Sequence, residues 1–406
     1  MNPAHPSAVI PRPARGRRVA RRHEARLLRA GNPALFALLS IGRLTGPIRR
    51  LPKVGWVVTD PVLSRRILND AKHFSMLGEG GVGDLWGQLF GPEMAAFFGG
   101  SRHAELRTLG RDLFTEDSAR ALVDRAQGPH HARLRARLAA GETVDLAELV
   151  RTTSAYTVAD LLGIELADDA AARALFDSAE RLAALALGTQ TSTALPAETI
   201  ERAKGLVTEI TGGVAEAYRT GGPDTILGRC RGVGISEELA RGLATLLAIA
   251  GTETGASSLT RTVALLHDTG QQHALLADRS LLPGAVREGL RVTTPAPVIG
   301  RHIAADAEVG GRTLRKDGRV MMLTYVADNA AGPFDVTREY VPETRQLWFG
   351  AGRHLCLGAA VARVQLTRLL ETLLADGRPW QVVSRRPARR VLVPTYASLL
   401  VRSADH

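Results

Sequence analysis

A chain of 406 residues, 45% apolar and 23% charged, is longer than a typical single domain and too apolar for intrinsic disorder. Its formal charge of +11 rests almost wholly on arginine, because Lys53, Lys72, Lys204 and Lys316 are the only lysines. Arginine spread along the whole chain argues for a compositional bias and against a nucleic-acid-binding stripe, and two cysteines, Cys230 and Cys356, exclude a disulfide framework and point to a reducing compartment.

Residues 1–28 carry Pro3, Pro6, Pro11, Pro13 and an arginine cluster, and read as a flexible basic arm ahead of one domain over 29–406. No signal-type apolar run follows the arm, and no run of about 18 apolar residues occurs, so the expectation is a cytoplasmic protein with no membrane span. Val54–Thr59 reads as a strand. Apolar residues then recur at helical spacing over Val62–Asn69, His103–Phe114, Ser118–Ala139, Leu146–Leu162, Asp168–Leu187, Ala197–Thr220 and Ser236–Asp268. The last of these has a Ser236 cap, Glu237 and Glu238 in its first turn and Gly270 at its end; at full length it spans roughly 50 Å, enough to cross a globule. Met76–Gly100 reads as an apolar loop. Within it Gly81-Val82-Gly83 does not complete GxGxxG, because Trp86 stands at the last position, so no nucleotide site is expected there. Between Arg301 and Tyr325 the turn signals Gly310-Gly311 and Asp317-Gly318 mark a small sheet. A helix follows Cys356 to about Ala375, and Arg390–Val401 reads as strand. The class is mainly α with a small β-sheet region.

The strongest chemical signal is Phe349-Gly350-Ala351-Gly352-Arg353-His354-Leu355-Cys356-Leu357-Gly358. A glycine-rich loop delivers one cysteine to a helix start, where free N–H groups and the helix dipole favour a thiolate. Such a thiolate serves as an iron ligand, a nucleophile or a redox sensor; an inert buried thiol is the fourth reading. A second signal, Ala250-Gly251-Thr252-Glu253-Thr254, places poor helix formers and an acid in mid-helix, which marks either a functional site or a packing glycine with back-bonded threonines. Glu288-Gly289-Leu290-Arg291 puts an acid and an arginine on one helix face, and His103-Ala104-Glu105-Leu106-Arg107 puts two cations one turn apart. Taken singly, these last two are ordinary surface patterns.

Taken together and in this order, FxxGxxxCxG at 349–358, AGxET at 250–254, ExxR at 288–291 and HxxxR at 103–107 resemble the bacterial cytochromes P450 from about residue 32 onward. The resemblance implies the P450 fold, with haem b between the long helix and the Cys loop. It also implies Cys356 as the iron ligand, with Phe349 in the ligand loop and His103, Arg107, Arg301 and His354 on the haem propionates. Gly251 would leave a groove for oxygen while Glu253 and Thr254 deliver protons. Glu288, Arg291 and Arg338 would form a structural network. The implied activity is insertion of one oxygen atom from O2 into a small or medium apolar substrate, with electrons from ferredoxin and ferredoxin reductase; Arg111 and Arg363 are candidates for meeting that donor. Oxidative coupling, a peroxide-driven reaction and a catalytically silent partner-binding scaffold are the alternatives. The chain departs from the family pattern at 327–347, where Ala327–Phe334 is abbreviated and Val341–Arg345 expanded. Candidate substrate contacts are Trp86, Leu89, Phe90, Leu185, Leu247, Ala250, Val298, Ile299 and Tyr396, on the reading that the apolar segment caps a pocket rather than only packing.

Overall fold

The computed structural model describes residues 13–44, 46–78, 82–99, 102–187, 195–340 and 345–404. α1 (Pro13–Gly31) and α2 (Pro33–Gly42) precede a hairpin of β1 (Ile48–Leu51) and β2 (Gly55–Val58). α3 (Pro61–Asn69) begins on Asp60, which accepts the Leu63 N–H at 2.8 Å, with Pro61 in the first turn, where its missing N–H costs nothing. β3 (Phe74–Ser75), α4 (Val82–Phe90), α5 (Pro92–Gly99) and α6 (Arg102–Gly110) follow. Next come α7 (Glu116–Ala139), β4 (Val144–Asp145), α8 (Leu146–Leu162) and α9 (Asp169–Leu187). α10 (Ala197–Ile210), α11 (Val214–Thr220) and α12 (Ile226–Gly232) lead to the long α13 (Glu237–Thr269). After α14 (Gln272–Ala277) and α15 (Leu282–Thr293), the chain makes β5 (Ile299–Ile303), β6 (Ala307–Val309), β7 (Arg312–Leu314), β8 (Arg319–Met322) and the one-turn α16 (Thr324–Asp328). The Cys356 loop then runs into α17 (Ala359–Leu374), and β9 (Trp380–Pro387) and β10 (Tyr396–Ser403) close the chain.

α13 is the organising element, packed by α8, α9, α15, α17 and α1. Ser236 accepts the Leu239 N–H at its start, and Gly270, with φ +73°, stops it in a left-handed cap. The helix faces a helical core of mostly Leu, Ala and Val. The sheet lies to one side, in the order β1-β2-β8-β5-β3, with β2 and β8 parallel and the other pairs antiparallel. Its register pairs Arg301 on β5 with Val320 on β8. A separate sheet, β4-β10-β9, packs on the helical core.

Four expectations change. Residues 13–28 are not a mobile arm: they form most of α1, and Ala20, Leu27 and Leu28 are buried. The arginine-rich composition hid a stripe at i, i+4, i+7 and i+8, completed by Glu24, whose charge is met by the buried Arg261. Residues 1–12 of the expected arm lie outside the described residues, as do Val341–Thr344 of the segment that departs from the family pattern. Met76–Gly100 is not a plain loop, because Val82–Gly99 folds into α4 and α5. Ala197–Thr220 is two helices, parted at Gly212-Gly213, where low helix propensity overrides the apolar spacing. The C-terminal strand begins at Tyr396, and its partner β9 was not anticipated.

Candidate functional site

The Cys356 loop is built by backbone constraints. Leu347–Phe349 forms a 3-10 turn, and Gly350 leaves it at φ +73°, where a Cβ would lie 2.9 Å from the His354 carbonyl oxygen. Only glycine closes this turn without strain. The Cys356 N–H donates to the Phe349 carbonyl at 2.7 Å, folding the loop back on itself. The N–H groups of Gly358 and Ala359 point at the sulfur. Cys356 is itself exposed, yet enough protein is packed around its loop for desolvation to act on the thiol. Burial pushes the thiol pKa up; the two N–H groups and the Arg107 and Arg363 guanidiniums oppose that shift. Cys230 is different: it is fully buried in the helical core and burial pushes its thiol up to about 12, which makes it an inert packing residue.

Two arginines and two histidines gather beside this loop. Arg107 on α6 donates to the Leu355 carbonyl at 2.5 Å. The His103 and His354 rings meet edge to face, 4.4 Å between centroids. Arg301 on β5 is 4% exposed and bonds only the Gly300 carbonyl, at 2.8 Å; no carboxylate pairs with it among the described residues. Burial, then the neighbouring Arg301, His103, Arg353 and Arg107, drive His354 down to about 3. Burial, then Arg353 and Arg107, also lower His103. Arg107 and Arg301 carry positive charge and the two histidines are held from gaining it; no carboxylate forms an ion pair with any of the four among the described residues, and a dianionic ligand edge fits the two arginines in charge.

On α13, Leu247, Ala250 and Thr254 form an accessible stripe in a helix that is wholly buried from Gly255 to Leu266. Glu253 is 4% exposed and neither carboxyl oxygen has a hydrogen-bond partner. Burial, reinforced by Glu180 on α9, raises its pKa well above the ordinary value, so it holds its proton more tightly than a solvated carboxyl does. The Thr252 and Thr254 hydroxyls donate to the carbonyls of Ala248 and Ala250, both at 2.7 Å. Gly251 departs from expectation. Its missing side chain is aimed at α8, where a Cβ would lie 2.7 Å from Val158 Cγ2, so helix packing demands glycine there and no oxygen groove follows from it. α17 meets α13 one residue beyond Thr254, with Gln365 Oε1 3.3 Å from the Cβ position of Gly255. That contact ties the Cys-bearing element to the accessible stripe.

Glu288, Arg291 and Arg338 do come together. Arg291 grips Glu288 through two bonds of 2.7 Å, and Arg338 reaches the same carboxylate at 3.2 Å. Sequence reading missed Asp328 and Trp348, which carry this network to the Cys loop. Asp328 is fully buried and accepts the Leu347 N–H at 2.9 Å, while its carbonyl accepts Arg291 at 2.6 Å. Trp348 donates to the Leu290 carbonyl at 2.7 Å and stacks on Phe349, with centroids 3.8 Å apart. A lone acid and a lone tryptophan in irregular chain left no periodic signal.

The substrate candidates scatter. Leu247 and Ala250 lie on the accessible stripe. Trp86 stacks on Phe90 at 5.5 Å, and Phe90 lies 3.3 Å from the Cβ position of Gly242, placing α4 over the first half of α13. Leu89 and Leu185 are half-buried against the same core. Val298 and Ile299 are half-buried beside the sheet, in its two separate apolar clusters. Tyr396 does not belong in the set: it is 2% exposed, in the core near Asp268, Arg385 and the Glu24–Arg261 pair, and has no surface left for a substrate.

Comparison with known proteins agrees with this architecture. The sequence model named Cytochrome P450 matches residues 262–376, from the second half of α13 through the Glu288 network and the Cys356 loop to α17. A vitamin D3 dihydroxylase of Streptomyces griseolus is 27% identical over 372 residues, 86% of each chain. Cytochrome P450 105A3 of Streptomyces carbophilus is 29% identical over 361 residues, 84% of this chain and 81% of that one. The solved structure of a mutant P450 EryK in complex with erythromycin B superposes with a TM-score of 0.75 at 25% identity, covering 93% of this chain and 97% of that chain. Family match, near-full-length relatives and shared fold coincide on the same elements and support a bacterial cytochrome P450, a family of haem-containing monooxygenases.

Proposed function

We infer that the chain is a haem-thiolate monooxygenase that inserts one oxygen atom from O2 into a small or medium apolar substrate. The observation that carries this reading is the juxtaposition of an accessible thiol with two arginines and two histidines that no carboxylate pairs with among the described residues. Cys356 Sγ would hold the iron of haem b, with the Gly358 and Ala359 N–H groups moderating its charge. Phe349, stacked on Trp348, holds the ligand loop in place. Arg107, Arg301, His103 and His354 would hold the two propionates, relieving the repulsion that depresses both histidines. Bound haem supplies the activation of dioxygen.

The chain itself supplies a buried acid that holds its proton more tightly than usual. No group among the described residues engages the Glu253 carboxyl oxygens, and the hydroxyl of the next residue, Thr254, keeps its lone pairs free to accept. Thr254 thus forms a polar end to a stripe that is otherwise apolar at Leu247 and Ala250. Leu247, Ala250, Leu89 and Phe90 favour a lipophilic substrate, in keeping with relatives named as a vitamin D3 dihydroxylase and a steroid C26-monooxygenase. Arg111 and Arg363 are exposed, close enough in charge to affect Arg107 and Cys356 respectively, and suit an acidic ferredoxin fed by its reductase. Two free cysteines fit work in the cytoplasm.

Reduced protein under carbon monoxide should show the red-shifted Soret band of thiolate-ligated haem. Cys356→Ser should abolish that band, while Cys230→Ser should leave it in place. A band of the histidine-ligated type in the wild-type protein would overturn the reading.

A further inference from the structure

A second cavity, of about 740 Å3, opens between α1, the turn into α3 and the segment 325–334. It is separate from the Cys356 site. Its lining on α13 starts at Leu265, eleven residues and so about 16 Å along the helix from Thr254. Part of the lining is cationic: Arg17, Arg18 and Arg21 on α1 and Arg43 just beyond α2. The lining also includes the apolar Leu265, Val292 and Phe334, together with Tyr325.

These charges are not consumed within the protein. Neither Arg18 nor Arg21 has a carboxylate within salt-bridge distance among the described residues. Arg17 reaches Asp335 only at 3.4 Å, in an exposed pair of little energetic weight. Arg43 lies 5.8 Å over the Tyr325 ring. The two acids in the wall are committed elsewhere: Glu24 to Arg261 in a buried pair, and Asp60 to the Leu63 N–H as the cap of α3. The Tyr325 hydroxyl has no hydrogen-bond partner among the described residues, and burial keeps it a donor by pushing its pKa up to about 12. The cavity therefore combines guanidinium and hydroxyl donors with aliphatic and aromatic side chains in one lining. Its volume is that of a small-molecule site.

We propose that this cavity is a binding site for an anionic amphiphile, a molecule with a phosphate or carboxylate head for Arg18, Arg21 and Arg43 and an aliphatic body for Leu265, Val292 and Phe334. A head of this kind gains charge-assisted, often bidentate bonds from arginine, and the body gains by leaving water. Neither part alone matches the whole lining.

Calorimetric titration of the full-length protein with octyl phosphate tests the assignment, with octanol and inorganic phosphate as controls. Octyl phosphate should bind at one site, more tightly than either control. The double variant Arg18→Gln/Arg21→Gln should weaken it about tenfold or more. Both positions are exposed, so the urea midpoint should stay unchanged. Ala330→Trp, at the exposed rim, should weaken binding while keeping the charges. Absence of octyl phosphate binding, equal binding by the variants, or controls that bind as tightly would each overturn the proposal. The readout does not depend on haem, so its failure is separable from failure of the monooxygenase reading.

Discussion

Glu253 illustrates what one residue's surroundings decide. Its carboxyl is buried beside another acid and accepts no hydrogen bond, so the folded chain retains a proton that the unfolded chain releases above the ordinary value of 4.5. A pKa raised by folding contributes stability below the unfolded value and loses it as pH rises toward the folded one. Thermal unfolding of wild type and Glu253→Gln should therefore diverge above pH 4.5, with the variant gaining relative stability as pH increases. A difference that stays constant across that range would mean the carboxyl is solvated or paired. Such an unpartnered acid is costly to keep, in line with a residue placed for proton delivery rather than for folding.

α1 is an element whose role reverses when its partners are known. Seven arginines give it the look of a solvated tail, yet Leu27 and Leu28 are buried and Glu24 meets Arg261, which is wholly inaccessible. Next to this pair, His23 and Arg385 bind Asp268 at 2.7 Å, joining α1, β9 and the end of α13. Burial alone would raise the Asp268 carboxyl, but His23, His267 and Arg385 outweigh it and hold it far below its ordinary value. Removing one member of a buried pair strands the other, so Glu24→Ala should cost about 3–5 kcal/mol in urea unfolding. Arg17→Ala, which touches only the exposed Asp335, should cost less than about 1 kcal/mol. Equal costs would mean that α1 is docked no more firmly than a surface pair.

At the scale of the whole molecule, the Glu288 network joins the helical core to the Cys356 loop. Arg291 is its hub, bonding Glu288, the Asp328 carbonyl and the Gly332 carbonyl, while Asp328 holds Leu347 and Trp348 holds α15. A lysine has one point charge and cannot reproduce the planar fork, so Arg291→Lys is not a mild change. It should yield protein with much reduced haem per polypeptide even where helical content is retained. Normal haem loading in that variant would show that the loop holds its shape without the network.

Much of this was legible in the linear chain because the signals are local. The helix spacing of 146–162 and 236–268, the caps Ser236 and Gly270, and the glycine-bounded Cys356 loop depend on neighbours within a few residues, and each follows from backbone sterics and side-chain period. The four motifs also marked which residues to examine. Tertiary structure decided what only distance in space determines. It showed that Gly251 faces Val158, that Tyr396 is enclosed, that Glu24 pairs with a residue 237 positions away, and that Arg107, Arg301, His103 and His354 gather with no carboxylate paired to them among the described residues. Burial, desolvation and charge balance arise from segments far apart in the chain, and no local pattern encodes them.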